Sequence, residues 1–134
     1  MHINAPASDP LSTARAFHQA WTSRDYRTAR RQLDGLCWIE EPFHKYDSPY
    51  EFMTTVILFG DTTYCVELLA EFADDTEAML LYDITMVDVG ILRIADFFTV
   101  SAGRIIRLVR VHDTAILRNA ELPPNSGHFH DAPH

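Results

Sequence analysis

The chain predicts a single α+β domain, with helices first and then a meander of strands curling into a cone. Three observations predict it. Apolar residues recur at three- and four-residue steps between Asp9 and Gly60, the period of amphipathic helices. Strand-like runs follow from Tyr64 to His112, rich in β-branched and aromatic residues. Short turn signals separate those runs, so consecutive strands form antiparallel hairpins. A curved antiparallel sheet with helices closing one side buries apolar surface in that order and leaves a pocket at the open end of the cone.

The elements follow in sequence. Residues 1–8 read as a loose arm. Asp9-Pro10 is an N-cap followed by the one helical position that tolerates proline, and Leu11, Ala14, Phe17, His18 and Trp21 form one helix face ending near Ser23. A second helix fits Tyr26 to Leu33. Gly35 ends that pattern, and Leu36 to Ile39 reads as a short buried strand running into Glu40-Glu41-Pro42, where proline stops regular pairing. After a loop from Phe43 to Asp47, Ser48-Pro49-Tyr50-Glu51 is a capping box opening a third helix that ends at Gly60. Four strands are expected at Tyr64–Phe72, Ala78–Val87, Ile91–Val100 and Arg104–His112, with a short closing helix near Leu117 to Asn119. The domain spans 9–119, and the Pro/Gly-containing stretch of 120–134 predicts a disordered tail.

With 134 residues the chain suits one domain with a real core. Its net charge of -8 repels phosphate backbones and argues against nucleic acid as a partner. The start of the chain lacks the basic end and apolar stretch of a secretory signal, and no apolar run reaches the ~20 residues that span a bilayer, so a cytoplasmic protein away from membranes is expected. Cys37 and Cys65 match no metal-ligand spacing and read as a reduced pair in apolar strands. His128, His130 and His134 near Asp131 match no standard metal site, so no metal is expected. No nucleophile elbow, phosphate loop or dinucleotide fingerprint appears, and no cofactor is expected.

The residue with the clearest chemical meaning is Asp96, a carboxyl within Ile-Ala-Asp-Phe-Phe. Burying it unpaired costs several kcal/mol, so it is either neutralised, becoming a hydrogen-bond donor in a pocket, or paired with Arg93, Arg107 or Arg110 across the sheet. Strand alternation puts Ile94, Phe98 and Val100 on the same face as Asp96. The opposite face, with Phe97, is apolar enough to meet a second copy of the chain. Glu41 is a candidate base if it points into an apolar pocket, and otherwise half of a solvated acidic pair. Tyr64, Tyr82 and His112 lie on strands and are candidate ligand contacts or packing residues. His44 lies at the expected pocket mouth. Phe17, Trp21 and Trp38 are candidate core or pocket-lining residues.

Three stretches together resemble the nuclear transport factor two-like superfamily, in its SnoaL-like and ketosteroid isomerase-like branch. They are Ala16 to Asp25 with Ala29 and Leu33; Trp38-Ile39-Glu40-Glu41-Pro42; and Ala95 to Ile105 with Val111-His112-Asp113. The resemblance covers about residues 10–118. It implies the cystatin-like cone, a site for a small hydrophobic molecule, and a homodimer. In ketosteroid isomerases a carboxylate base works with a tyrosine and a protonated aspartate that hold the enolate. The resemblance places the base at Glu41 and the protonated donor at Asp96. The tyrosine position falls on Phe17, which cannot donate. Limonene-type epoxide hydrolases share the fold, but their closing-strand carboxylate would fall on Arg110, a cation. The resemblance therefore implies a small-molecule-binding protein, either a cofactor-free isomerase, cyclase or dehydratase that abstracts a proton beside a carbonyl, or a non-catalytic binding or dimerisation module of the same fold.

Overall fold

The computed structural model describes residues 9–118. The elements run α1 (Pro10–Thr22), α2 (Tyr26–Gln32), β1 (Leu33–Glu41), β2 (His44–Tyr46), α3 (Pro49–Thr62), β3 (Thr63–Ala73), β4 (Glu77–Met86), β5 (Gly90–Ser101), β6 (Arg104–His112) and α4 (Ala115–Arg118). The expected arm, the disordered tail and its histidines lie outside the described residues. No helix among the described residues is long and apolar enough to cross a membrane.

Local chemistry sets the helix starts as expected. The Asp9 carboxylate accepts from the Leu11 N–H and Ser48 Oγ from the Tyr50 N–H, each ahead of a proline in the first turn. Gly60 does not stop α3. It lies within the helix, and a Cβ there would sit 2.3 Å from the Tyr26 hydroxyl oxygen and 2.9 Å from the Trp21 carbonyl oxygen. The glycine is needed for close approach of α3 to α1 and α2, not for a left-handed turn.

The six strands form one sheet in the order β2-β1-β6-β5-β4-β3. It is not wholly antiparallel. β1 runs parallel to β6, with Ile39 opposite Leu108, while every other neighbouring pair is antiparallel. The sheet is curved but stays open, with β2 and β3 at its edges and β1 laid beside β6. β1 also starts earlier than expected, at Leu33 directly after α2, and β2 forms in what reads as a loop. The turn at Pro42-Phe43 brings His44 opposite Glu41 and Tyr46 opposite Ile39.

Bulges bend the sheet. One interrupts β5–β6: Ser101 pairs with Arg104 and Val100 with Ile105, but Thr99 pairs with Arg107, leaving Ile106 as the extra residue. Past it, Asp96 stands directly opposite Arg110. Others fall in β3–β4. The one between Thr63 and Cys65 turns Cys65 outward, so this cysteine is exposed rather than apolar-packed, while Cys37 is buried; both are free.

Helices α1 and α3 cover the inner face of the sheet. Phe17, Trp21, Phe52, Phe59, Tyr82 and Phe98 are fully buried there. Each such side chain contributes roughly 1.5–3 kcal/mol by leaving water. Inward and outward residues alternate along β5 as expected: Ile94, Asp96, Phe98 and Val100 are buried, while Arg93 is exposed and Ala95, Phe97 and Thr99 are partly exposed.

Candidate functional site

Asp96 and Arg110 form a salt bridge in the core, each with a fully buried side chain. Arg110 Nε donates to Asp96 Oδ1 at 2.8 Å and Nη2 to Oδ2 at 3.0 Å, a two-pronged geometry. The Tyr82 hydroxyl donates to Oδ2 at 2.6 Å. Asp96 faces inward as expected, but it accepts all three bonds and donates none. The protonated-donor role that the resemblance implies does not match this arrangement, because both carboxyl oxygens accept from donors of the chain. Cross-strand pairing, the other reading of Asp96, is what the structure shows, with Arg110 as the partner.

The guanidinium carbon of Arg110 lies 5.2 Å from the centre of the Trp21 ring and 5.5 Å from that of Phe52. These contacts help a buried cation, since ring faces carry partial negative charge. Arg110 Nη1 is nevertheless left without an acceptor, as are Trp21 Nε1 and His18 Nδ1; of the buried side-chain polar atoms without a partner among the described residues, only Arg30 Nε lies elsewhere. These three residues surround Tyr82: His18 packs edge-on at 4.4 Å, Trp21 stands 6.2 Å away, and Arg110 Nη2 donates to the Tyr82 hydroxyl at 3.4 Å. Buried polar atoms are nearly always satisfied, and three of the exceptions among the described residues lie around this one ring. Burial lowers the His18 pKa against the pull of Asp96, with Arg110 lowering it further, and keeps the imidazole neutral at pH 7. Burial likewise holds the Tyr82 hydroxyl protonated.

Glu41 ends β1 at the rim of this cluster. It is partly buried, and the Tyr46 hydroxyl donates to its Oε1 at 3.0 Å. Burial raises its pKa, opposed by the charge of Arg110 and by the Tyr46 bond, while Asp96 adds to the rise. Glu41 also lines a cleft of about 490 Å³ with Glu40, Pro42, Phe43, His44 and Lys45. It is thus the carboxyl at which a solvent-open cleft and the buried cation meet electrostatically.

The other expected residues divide. Tyr82 belongs to the cluster, and Trp21 packs on it. Phe17 and Phe98 are core rings, 6.1 Å apart, with Phe52 6.5 Å from Phe17. His44 is exposed at the cleft, with its ring 4.3 Å from that of Tyr46. Trp38 is 42% exposed, because Cys37 and Ile39 take the inward positions of β1. Tyr64 is 69% exposed and lines a surface depression with Ser23, Arg24 and Cys65, away from the cluster. His112 is half-buried at the end of β6, 6.1 Å from Phe59 and bonded to the Asp113 carbonyl, rather than among the Arg110 partners. The sequence alone assigns no site role to His18 or Thr55, and puts Tyr46 with His44 and Lys45 at the expected pocket mouth. His18 carries a signal, being a titratable group on the apolar face of α1. The bond of Tyr46 to Glu41 is not legible, because it depends on the three-residue strand β2. Among the described residues no group of three His, Cys, Asp or Glu side chains could hold a metal ion.

Fold and cluster together define a cone-shaped α+β domain with a buried acid–base network at one end. Solved structures share this fold. A protein from Kribbella flavida DSM 17836 is similar over 96% of this chain and 100% of its own, with 29% identity and a TM-score of 0.79. An NTF2-like protein of unknown function from Cytophaga hutchinsonii ATCC 33406 is similar over 87% of this chain and 98% of its own, at 16% identity and a TM-score of 0.68. A candidate ketosteroid isomerase from Kribbella flavida DSM 17836 is similar over 92% and 87%, at 18% identity and a TM-score of 0.66. No protein-family model matches the chain, nor does any curated protein. The fold is that of the nuclear transport factor two-like superfamily.

Proposed function

We propose that this protein takes a small, mostly apolar carbonyl compound at the rim of the cone and moves a proton beside the carbonyl without a cofactor, as an isomerase, cyclase or dehydratase of the SnoaL-like kind. Glu41 is the base. Arg110, not Asp96, steadies the negative charge that develops on the carbonyl oxygen, and Asp96 with Tyr82 holds the guanidinium in place. The observation that carries this reading is Arg110 Nη1, a fully buried cationic donor without an acceptor among the described residues, in a cluster whose charge reaches Glu41. A donor fixed in a low-dielectric site before reaction stabilises an oxyanion far better than water does. Burial weakens Glu41 as an acid, which brings a carboxyl toward the proton affinity a general base needs near neutrality.

The test is exchange of the protons beside the carbonyl of a panel of cyclic and aryl ketones in deuterated water, followed by NMR. Wild-type protein is expected to speed exchange for a subset of the panel. Saturable binding with no exchange for any member would favour the non-catalytic binding module instead.

We also propose a cytoplasmic homodimer. The outward row of Phe72, Met79, Phe97 and Val109 runs across four neighbouring strands. Phe72 is 67% and Met79 38% exposed, and a second copy of this face would cover them. Sedimentation is expected to give twice the 15.3 kDa chain mass; a monomer at micromolar concentration would exclude the dimer.

A further inference from the structure

We propose that Tyr46, backed by Thr55, is a positioning residue that orients Glu41 and sets the pH range in which it works as a base. This rests on the reading of Glu41 as the base. Tyr46 is 4% exposed and is carried by β2, a strand of three residues whose other two are exposed. Its hydroxyl lies 3.0 Å from Glu41 Oε1 and 3.2 Å from Thr55 Oγ1 on α3. The phenol has one proton. When that proton goes to Glu41, Thr55 supplies its own to the phenol oxygen, so two hydroxyls line up on the carboxylate and each strengthens the other.

This chain of donors favours the charged form of Glu41 and is worth least when Glu41 is protonated. The other groups facing Glu41 are Arg110 from β6, Asp96 from β5 and His44 from β2. Arg110 and Asp96 act with opposite signs and are already tied to each other. Tyr46 adds a directed hydrogen bond to a Glu41 oxygen. Its ring is fixed by Phe52 at 5.6 Å, the same ring that lies under Arg110. The base and the buried cation are therefore braced against one side chain.

The experiment is a carbon-detected NMR titration of the side-chain carboxyl groups in wild-type protein, Tyr46→Phe and Thr55→Val. Loss of the phenol hydroxyl is expected to raise the Glu41 midpoint by about one unit, a tenfold weakening of the acid. Thr55→Val should shift it the same way by less, and the partly buried Glu71 carboxyl, paired with Arg15, should not move. If both variants keep the native spectrum and the Glu41 midpoint stays put, Tyr46 only packs and the proposal is wrong. If Tyr46→Phe does not fold, Thr55→Val decides alone. The titration is independent of turnover: Glu41→Gln that still catalyses proton exchange would overturn the assignment of the base while leaving the Tyr46 coupling measurable.

Discussion

Asp96→Asn is expected to destabilise the protein by about 3–5 kcal/mol, the usual cost of stranding one member of a buried ion pair. For a chain of this size that is a fall in Tm of roughly 10–20 °C. Asparagine keeps the shape but offers one acceptor and turns an amide NH₂ toward the guanidinium. Arg110 is fully buried, and Asp96 is the carboxylate to which it is hydrogen-bonded. Urea titration at pH 7 checks the size of the loss. A variant combining Asp96→Leu, Arg110→Met and Tyr82→Phe removes the charges together with the hydroxyl that would otherwise be orphaned, and should recover most of the stability while binding no carbonyl ligand. A loss below about 1 kcal/mol in the single variant would mean that water reaches Arg110.

Glu41→Gln is expected to lower the rate of proton exchange by about 10²–10⁴-fold, the span supplied by a positioned general base. The same variant should be more stable than wild type at neutral pH. Burial raises the Glu41 pKa, so between its unfolded value, about 4.3, and its higher folded value the native state binds more protons than the unfolded one. Stability therefore falls as pH rises through that window, and above it the full penalty is present. Glutamine has no such penalty. The advantage of the variant should grow as pH rises above the ordinary glutamate range and vanish as pH drops below it. Burial of His18 has the opposite consequence, since its lowered pKa costs stability as pH falls below about 6.5. Comparing wild type with Glu41→Gln cancels that contribution, and paired urea titrations at two pH values read the difference.

Most of the fold was legible because it rests on local signals. The Asp9-Pro10 and Ser48-Pro49 caps, the turns at Asp74-Asp75 and Ser101 to Gly103, and the strand β6 from Arg104 to His112 all lie where residue chemistry puts them. What was not legible depends on distant contacts. Nothing near Leu33 or Ile39 states that they will lie parallel to residues of β6. Gly60 resembles a helix stop until Tyr26 and Trp21 are seen against it. The partner of Asp96 could not be chosen among Arg93, Arg107 and Arg110 because a bulge decides it. With an unbroken ladder from the Ser101–Arg104 pair, Asp96 would face Val109. The extra residue Ile106 shifts the register by one and brings Arg110 opposite. With that cation inward, Asp96 becomes the anchor of Arg110.

The parallel pairing of β1 with β6 has a consequence for how the chain is made. During synthesis α1, α2 and the carboxyl of Glu41 leave the ribosome long before their neighbours in the sheet exist. Hairpins β3–β4 and β4–β5 form from contacts close in sequence, but the edge against which β1 docks appears only when the last strand emerges. Glu41 and Arg110 therefore come together only once β6 has formed, and a nascent chain halted before Arg110 carries Glu41 without that cation.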